Sequence, residues 1–346
     1  MEALASILFQ GLILGAQWAI FATCFGLVVR VLGVFHIAIS GIYTVGLFAA
    51  VIAVDEHGFS ILAAVLTGAT FAAAASLLSY LAMYRPMMKR LGGRFEMHAA
   101  TPVVASLGAA TVLFSVVQLV AGAEPRGGGA PDIGTIRLFG ASSRVWDMMA
   151  VASIFVIIGG IEAWLRYTRL GKSTTALEEN FDGARIIGVR PEKVYVVLFL
   201  FTGGAAGVAG SLQGLGTATV AGSSLVQVLF AALIVLVLPD SNLLVWAGGA
   251  VVMGWTYAAL ALEFGTPWAE VLVQVLLILV LVIGRVVVPL LHRNQRPHAS
   301  TRPRNRNTGK LNGGEGSERV ESSKLIGLHS RLASSHAGRA EGENGV

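Results

Sequence analysis

Gly171-Lys172-Ser173-Thr174 is the stretch that most resembles a chemical site. A Gly-Lys-Ser/Thr ending closes the phosphate-binding loop, where backbone N–H groups and the lysine cradle a nucleotide's phosphates. That loop also needs a glycine at position 166, and Arg166 stands there. Nor does the segment follow a strand, so nucleotide binding by this chain is not expected. No His-Glu-x-x-His, Gly-x-Ser-x-Gly or paired-cysteine pattern is present. Cys24 is the single cysteine, which excludes an intrachain disulfide and a cysteine-built metal site. No catalytic residue, metal site or bound cofactor is expected.

The other candidates are polar residues inside apolar runs. Such residues are costly in lipid and mark routes for polar solutes. They are Gln17, His36, Ser40, Thr44, Gln118, Gln213, Gln227 and Gln274. His36 and Ser40 are four apart and would share a face if that region is helical. Gly33 and Gly41 flank them, and Gly46 follows. Glycines there would permit a broken helix, whose free backbone groups bind substrate in many transporters. His36, Ser40, Gly41, Tyr43 and Thr44 are the candidate translocation path.

These residues have to be positioned by membrane-spanning elements. The chain of 346 residues is 55% hydrophobic and only 13% charged, whereas soluble domains carry about a quarter charged residues. Apolar runs of about 20 residues, the length that crosses a bilayer, recur along the chain. They fall at 4–29, 31–54, 59–83, 99–121, 145–165, 194–215, 225–238, 243–262 and 267–290. The run at 225–238 is short and would be tilted, re-entrant or extended into Ser223-Ser224. Continuous rather than alternating apolarity argues against a β-barrel. The expected fold is all-α: a polytopic transmembrane helical bundle of about 8–9 spans in a domain covering 1–291. Residues 122–144, rich in Gly and Pro, read as a loop. Glu2 and the lack of a basic leading region argue against a cleavable signal peptide.

The net charge of +5 comes entirely from 292–346, with 10 basic and 5 acidic residues, since 1–291 carries 15 of each. That tail is poor in apolar residues and reads as disordered, basic and cytoplasmic. Nucleic acid is not an expected partner; membrane lipid is. Basic residues gather at 85–94, 166–193 and the tail, and nine spans with the N-terminus outside put all three on the cytoplasmic side.

The segment 167–193 is a polar island between apolar runs. Leu177, Phe181 and Ala184 recur at i, i+4 and i+7, which predicts a short amphipathic helix over 174–187 able to enter a groove on a partner. Glu178, Glu179 and Asp182 come early and Arg185 late, the order that suits the helix dipole. Gly183 interrupts that helix by about 1 kcal/mol relative to Ala. Gly203 and Gly207, then Gly210 and Gly214, put small residues on one face of a later span for close helix packing.

Several stretches resemble the permease family of bacterial ABC importers for branched-chain amino acids, which also covers urea and short-amide permeases. The resemblance runs from about residue 8 to 284. The segment 33–46 is similar to the family's G-L-I-N-F-A-H-G-D-x-Y-x-x-G at Gly33, Ala38, Tyr43 and Gly46, and departs from it at His36, Ile39, Ser40 and Gly41. Tyr84-Arg85-Pro86 followed by Ala105-Ser106-Leu107-Gly108 resembles the family's Y-R-P loop and next helix. The most specific likeness joins Thr168-Arg169-Leu170-Gly171-Lys172 to Asp182-Gly183-Ala184-Arg185-Ile186-Ile187-Gly188, resembling T-R-x-G-[RK] … E-A-A-R-L-x-G-I. The family's G-G-x-G-S-x-x-G turn and R-P-x-G-L ending are absent.

The resemblance implies a multi-pass permease subunit of the bacterial inner membrane, carrying branched-chain amino acids or a related small polar solute. It implies a cytoplasmic coupling loop, here Leu177, Phe181, Asp182, Gly183, Ala184, Arg185 and Gly188, that docks on ATPase subunits. ATP and Mg would sit on those subunits. A second permease, in a homo- or heterodimer, and a periplasmic solute-binding protein are the other implied partners. The alternatives are a stand-alone secondary transporter, which the scarcity of intramembrane carboxylates disfavours, and a degenerate non-transporting scaffold.

Overall fold

The computed structural model describes residues 2–91, 100–138, 141–238 and 242–283. The tail at 292–346 and the end of the expected span at 267–290 lie outside the described residues. Among the described residues the chain forms twelve helices and one hairpin. In order these are α1 (Glu2–Leu32), α2 (Ile39–Asp55), α3 (Ile61–Ser79), a π-helical turn (Tyr80–Tyr84) and α4 (Arg85–Leu91). There follow α5 (Ala100–Ala121), β1 (Thr135–Leu138), β2 (Ala141–Arg144), α6 (Val145–Tyr167), α7 (Arg169–Glu179) and α8 (Phe181–Ile186). The last four are α9 (Pro191–Gly216), α10 (Ser224–Val237), α11 (Leu243–Phe264) and α12 (Thr266–Val282).

Six helical stretches are long and apolar enough to cross a membrane, and α2, α10 and α12 are shorter apolar helices. Among the described residues each of the nine apolar runs thus holds a helix, in an all-α polytopic bundle. With 14 residues, α10 rises about 21 Å, less than the ~30 Å hydrocarbon core. The segment 122–144, expected to be a loop, contains the antiparallel β1–β2 pair, Thr135 opposite Arg144. Its residues also cover the end of α9: Gly128 N–H donates to Gly214 O at 3.0 Å and Ala130 N–H to Leu215 O at 2.8 Å. Helix-end carbonyls that would otherwise lack partners are satisfied there.

Helix α1 is the axis of the bundle. Its apolar window is 83% buried, against 22% for α3 and α6 and 17% for α5. The outer helices present large apolar side chains such as Leu62, Leu119 and Val156, a surface suited to lipid. Ion pairs between distant elements sort by end. Arg30–Glu178 and Arg85–Glu192 lie at the end that carries the island. Arg126–Glu56, at 2.9 Å, lies at the other. An up-and-down course of the spans requires this sorting.

Close backbone approach holds the inner helices, as expected where lipid removes the hydrophobic drive between them. Helix α9 sits against α2 and α3. A Cβ on Gly207 would lie 2.5 Å from Ala72 Cβ and 2.9 Å from Ala69 Cα, and one on Gly214 would lie 2.6 Å from Leu47 Cγ. Hydroxyls reinforce the seam: Ser76 donates to Phe199 O at 2.7 Å and Ser211 to Gly46 O at 3.2 Å. Gly204, three residues from Gly207, has only Ala73 Cβ at 4.0 Å. Gly207→Ala is therefore expected to lower stability by about 1–3 kcal/mol through overpacking, while Gly204→Ala leaves stability unchanged or slightly raised. Thermal unfolding of the two purified variants checks this.

Candidate functional site

The island is built on capping residues. Thr168 ends α6, and its hydroxyl accepts from Gly171 N–H at 2.9 Å to start α7. The chain reverses there without a loop, and only glycine fits: a Cβ on Gly171 would lie 2.5 Å from Leu165 Cα. The expected single helix over 174–187 is two helices. Asn180 leaves the helical region with φ −150° and ψ 97°, and its side chain accepts from Gly183 N–H at 2.8 Å as the N-cap of α8. Gly183 belongs to this cap, because a Cβ there would crowd Asn180 at 3.0–3.2 Å.

Helix α8 ends in a Schellman motif. Gly188 N–H donates to Arg185 O at 3.1 Å and Val189 N–H to Ala184 O at 3.0 Å. Gly188 has φ 93°, the left-handed conformation this motif needs. The apolar face faces inward: Leu177, Ala184 and Val194 form a buried cluster, with Phe181 and Val189 against it. Leu177 and Ala184 are thus covered by the chain's own bundle. What α8 offers outward is Asp182, Arg185, Gly188 and two apolar residues, Ile186 at 86% exposure and Ile187 at 77%.

One contact ties the island to the axis. Arg30 donates from Nε and Nη2 to Glu178 Oε1, joining the end of α1 to α7. The Arg30 guanidinium also lies over the Trp246 ring at 5.3 Å. Trp246 is fully buried, and its indole N–H donates to Leu238 O at 2.6 Å. In the sequence Arg30 stands only as the residue between the apolar runs 4–29 and 31–54, and Glu178 as a charge that suits a helix dipole. The available signal was a lone cation closing an apolar run, which needs a partner.

The break that leads into the candidate path begins three residues beyond Arg30. Gly33, at φ 75°, starts a non-helical break, and α2 begins only at Ile39. His36 lies in that break, so it does not share a helix with Ser40. Its Nδ1 is 2.9 Å from Tyr84 OH, and its ring packs edgewise against Tyr84 and Phe199. Ser106 Oγ accepts from Ala38 N–H at 2.9 Å. Ser106 is six residues into α5, so the break sits about 9 Å of helix rise inside the bundle. Ser40, Thr44 and Ser224 form a buried chain: Thr44 Oγ1 is 2.8 Å from Ser224 Oγ, which also donates to Ser40 O at 3.1 Å. Gly41 allows α5 to approach, since a Cβ there would lie 2.8 Å from Leu113 Cβ. The Tyr43 ring packs against Phe21 at 4.7 Å, tilted by 42°. The path residues are buried, and Tyr43 OH and His36 Nε2 have no hydrogen-bond partner. An apolar cavity of about 420 Å³ between α2, α3 and α5 is lined by Val45, Phe48 and Ile52 but by none of the five.

Elsewhere, Gln17 Nε2 donates to Gln213 Oε1, joining α1 to α9. Among the described residues no group of three or more His, Cys, Asp or Glu side chains could hold a metal ion.

Residues 7–282 match the family described as branched-chain amino acid transport system / permease component. The chain belongs to this permease family. The LivH permease protein of the high-affinity branched-chain amino acid transport system of Escherichia coli K12 is 24% identical over 229 residues, covering 60% of this chain and 69% of that protein. LivH of Salmonella typhimurium LT2 is 23% identical over 222 residues, with the same coverage. No solved structure matches significantly. In this permease, two glycines of the family-like motif have specific physical roles. Gly171 lets α7 fold back on α6, and Gly188 supplies the positive φ that ends α8.

Proposed function

We propose that this permease is the transmembrane subunit of an ATP-driven importer of branched-chain amino acids in a bacterial inner membrane. Separate cytoplasmic ATPase subunits would bind ATP and Mg and dock on α8. A second permease chain and a periplasmic solute-binding protein complete the assembly. The carrying observation is the island's form: α8 is capped at both ends, packed on the bundle by its inner face, and exposes Ile186 and Ile187 among charged residues. An exposed apolar pair on a rigid helix end suits insertion into a partner's groove.

Work then passes from α8 to α7, through Glu178 to Arg30, and into α1, whose end leads to the break at 33–38. ATP shifts the permease between inward- and outward-facing states only by the difference in affinity of the ATPase for the two. His36, Ser40, Gly41, Tyr43 and Thr44 line the route in this reading. The unpaired His36 Nε2 and Tyr43 OH support it, because an orphaned buried polar group costs about 1–3 kcal/mol that a passing polar solute would offset.

The test is uptake of labelled leucine into proteoliposomes holding the permease, ATPase and binding protein. Uptake should require ATP and survive collapse of ion gradients. Uptake without ATP that falls with the ion gradient would overturn the reading in favour of a secondary transporter. Thr44→Val removes the Ser224 contact with little change of shape. It is expected to cut uptake several-fold with the complex intact, and unchanged uptake would remove this segment from the route.

A further inference from the structure

A second cavity, of about 340 Å³, lies beneath α8, between it, the α3–α4 turn and the start of α9. Arg85, Lys89 and Arg185 line it, with Glu192 as its carboxylate. Glu192 is already paired with Arg85. Among the described residues neither Lys89 nor Arg185 forms an ion pair, so the cavity carries two uncompensated positive charges. Arg85 Nε–H is enclosed and has no acceptor. A concave site lined by one sign of charge concentrates counter-ions, and guanidinium groups favour the oxygens of phosphate.

The surroundings indicate where that phosphate comes from. Tyr80 and Tyr195, both almost fully buried, form its inner wall. On the helix that carries Tyr80, Leu78 and Leu81 are 64% and 40% exposed. An apolar strip therefore runs along the bundle beside the basic cavity. A free phosphate has no use for that strip, whereas acyl chains do. Basic pockets at helix ends on the cytoplasmic side are where anionic headgroups are held.

The geometry points to a binding site for the phosphate headgroup of an anionic membrane lipid, clamped by Lys89 and Arg185 and completed by Arg85 Nε–H. A lipid held there touches Phe181 and Arg185 of α8, so the island's seating depends on anionic lipid. The site requires only that the chain sits in a bilayer, and its test needs no ATPase.

The experiment is native mass spectrometry of the full purified chain titrated with phosphatidylglycerol and with phosphatidylcholine. Wild type should retain phosphatidylglycerol more strongly. Lys89→Ala with Arg185→Ala should lose about fivefold per removed cation, while phosphatidylcholine retention stays level. Lys89→Arg should keep the preference. Displacement of phosphatidylglycerol by millimolar inorganic phosphate would support the anion site but assign it to a soluble phosphate. Equal phosphatidylglycerol retention by wild type and a monodisperse double variant would overturn the proposal.

Discussion

Arg30→Glu is expected to abolish ATP-driven uptake, and Glu178→Arg in the same chain to restore part of it. The two side chains are only 24% and 20% exposed, which places the pair between the surface and buried cases. Breaking a fully buried pair costs about 3–5 kcal/mol and a surface pair under about 1 kcal/mol, so about 1–3 kcal/mol is expected here. In Arg30→Glu two carboxylates would face each other at the joint between α7 and α1. The reversed pair restores attraction but loses the stacking of Arg30 on Trp246, worth about 1 kcal/mol, so the rescue is partial. The informative readout compares ATP hydrolysis with uptake. A strut between motor and path predicts that Arg30→Glu leaves hydrolysis running while uptake stops. A contact that only stabilises the fold would lower both with the amount of folded protein.

Gly188→Val is expected to remove ATPase binding while leaving the bundle folded. At φ 93° a residue with a Cβ is strained by roughly 1–2 kcal/mol, and a β-branched one by more. The strain is relieved by unwinding the end of α8 that carries Ile186 and Ile187. Gly188→Asn tolerates the left-handed conformation and should keep most binding. Co-purification of the ATPase with each variant measures this: more than about a tenfold loss, or 1.4 kcal/mol, for valine and a small loss for asparagine. Equal retention by both would separate α8 from the docking surface.

Much of the bundle was legible in the sequence because lipid solubility is a local property. The run at 99–121 became Ala100–Ala121 and that at 145–165 became Val145–Tyr167, since the same apolar composition that signals a span also forms the helix. Pairing was not legible. Arg30 and Glu178 are far apart in the chain, and composition gives their charges without saying that they meet. The inward turn of Leu177 and Ala184 was hidden for the same reason: amphipathicity tells that a face is covered, not by what. The split at Asn180 had a local signal, a strong N-cap residue three before Gly183, masked by the good helix formers Leu177, Glu178 and Glu179 ahead of it. The spacing of His36 and Ser40 predicts one helix face. The positive φ at Gly33 breaks the helix there, and the intervening turn is stabilised by Ser106 on another span. The β1–β2 pair went unseen because its strands are four residues each.

Whether α8 receives the work of a separate ATPase is tested most directly by a cross-link. Cys24 is the single cysteine and is fully buried, so Cys24→Ser with Ile187→Cys gives one accessible thiol at the outward end of α8. The chain is co-expressed with an ATPase subunit and treated with a short thiol-to-amine cross-linker. The expected result is an adduct of permease and ATPase that disappears when Gly188→Val is added. An assembled complex that gives no adduct, or the same adduct with Gly188→Val, would contradict it.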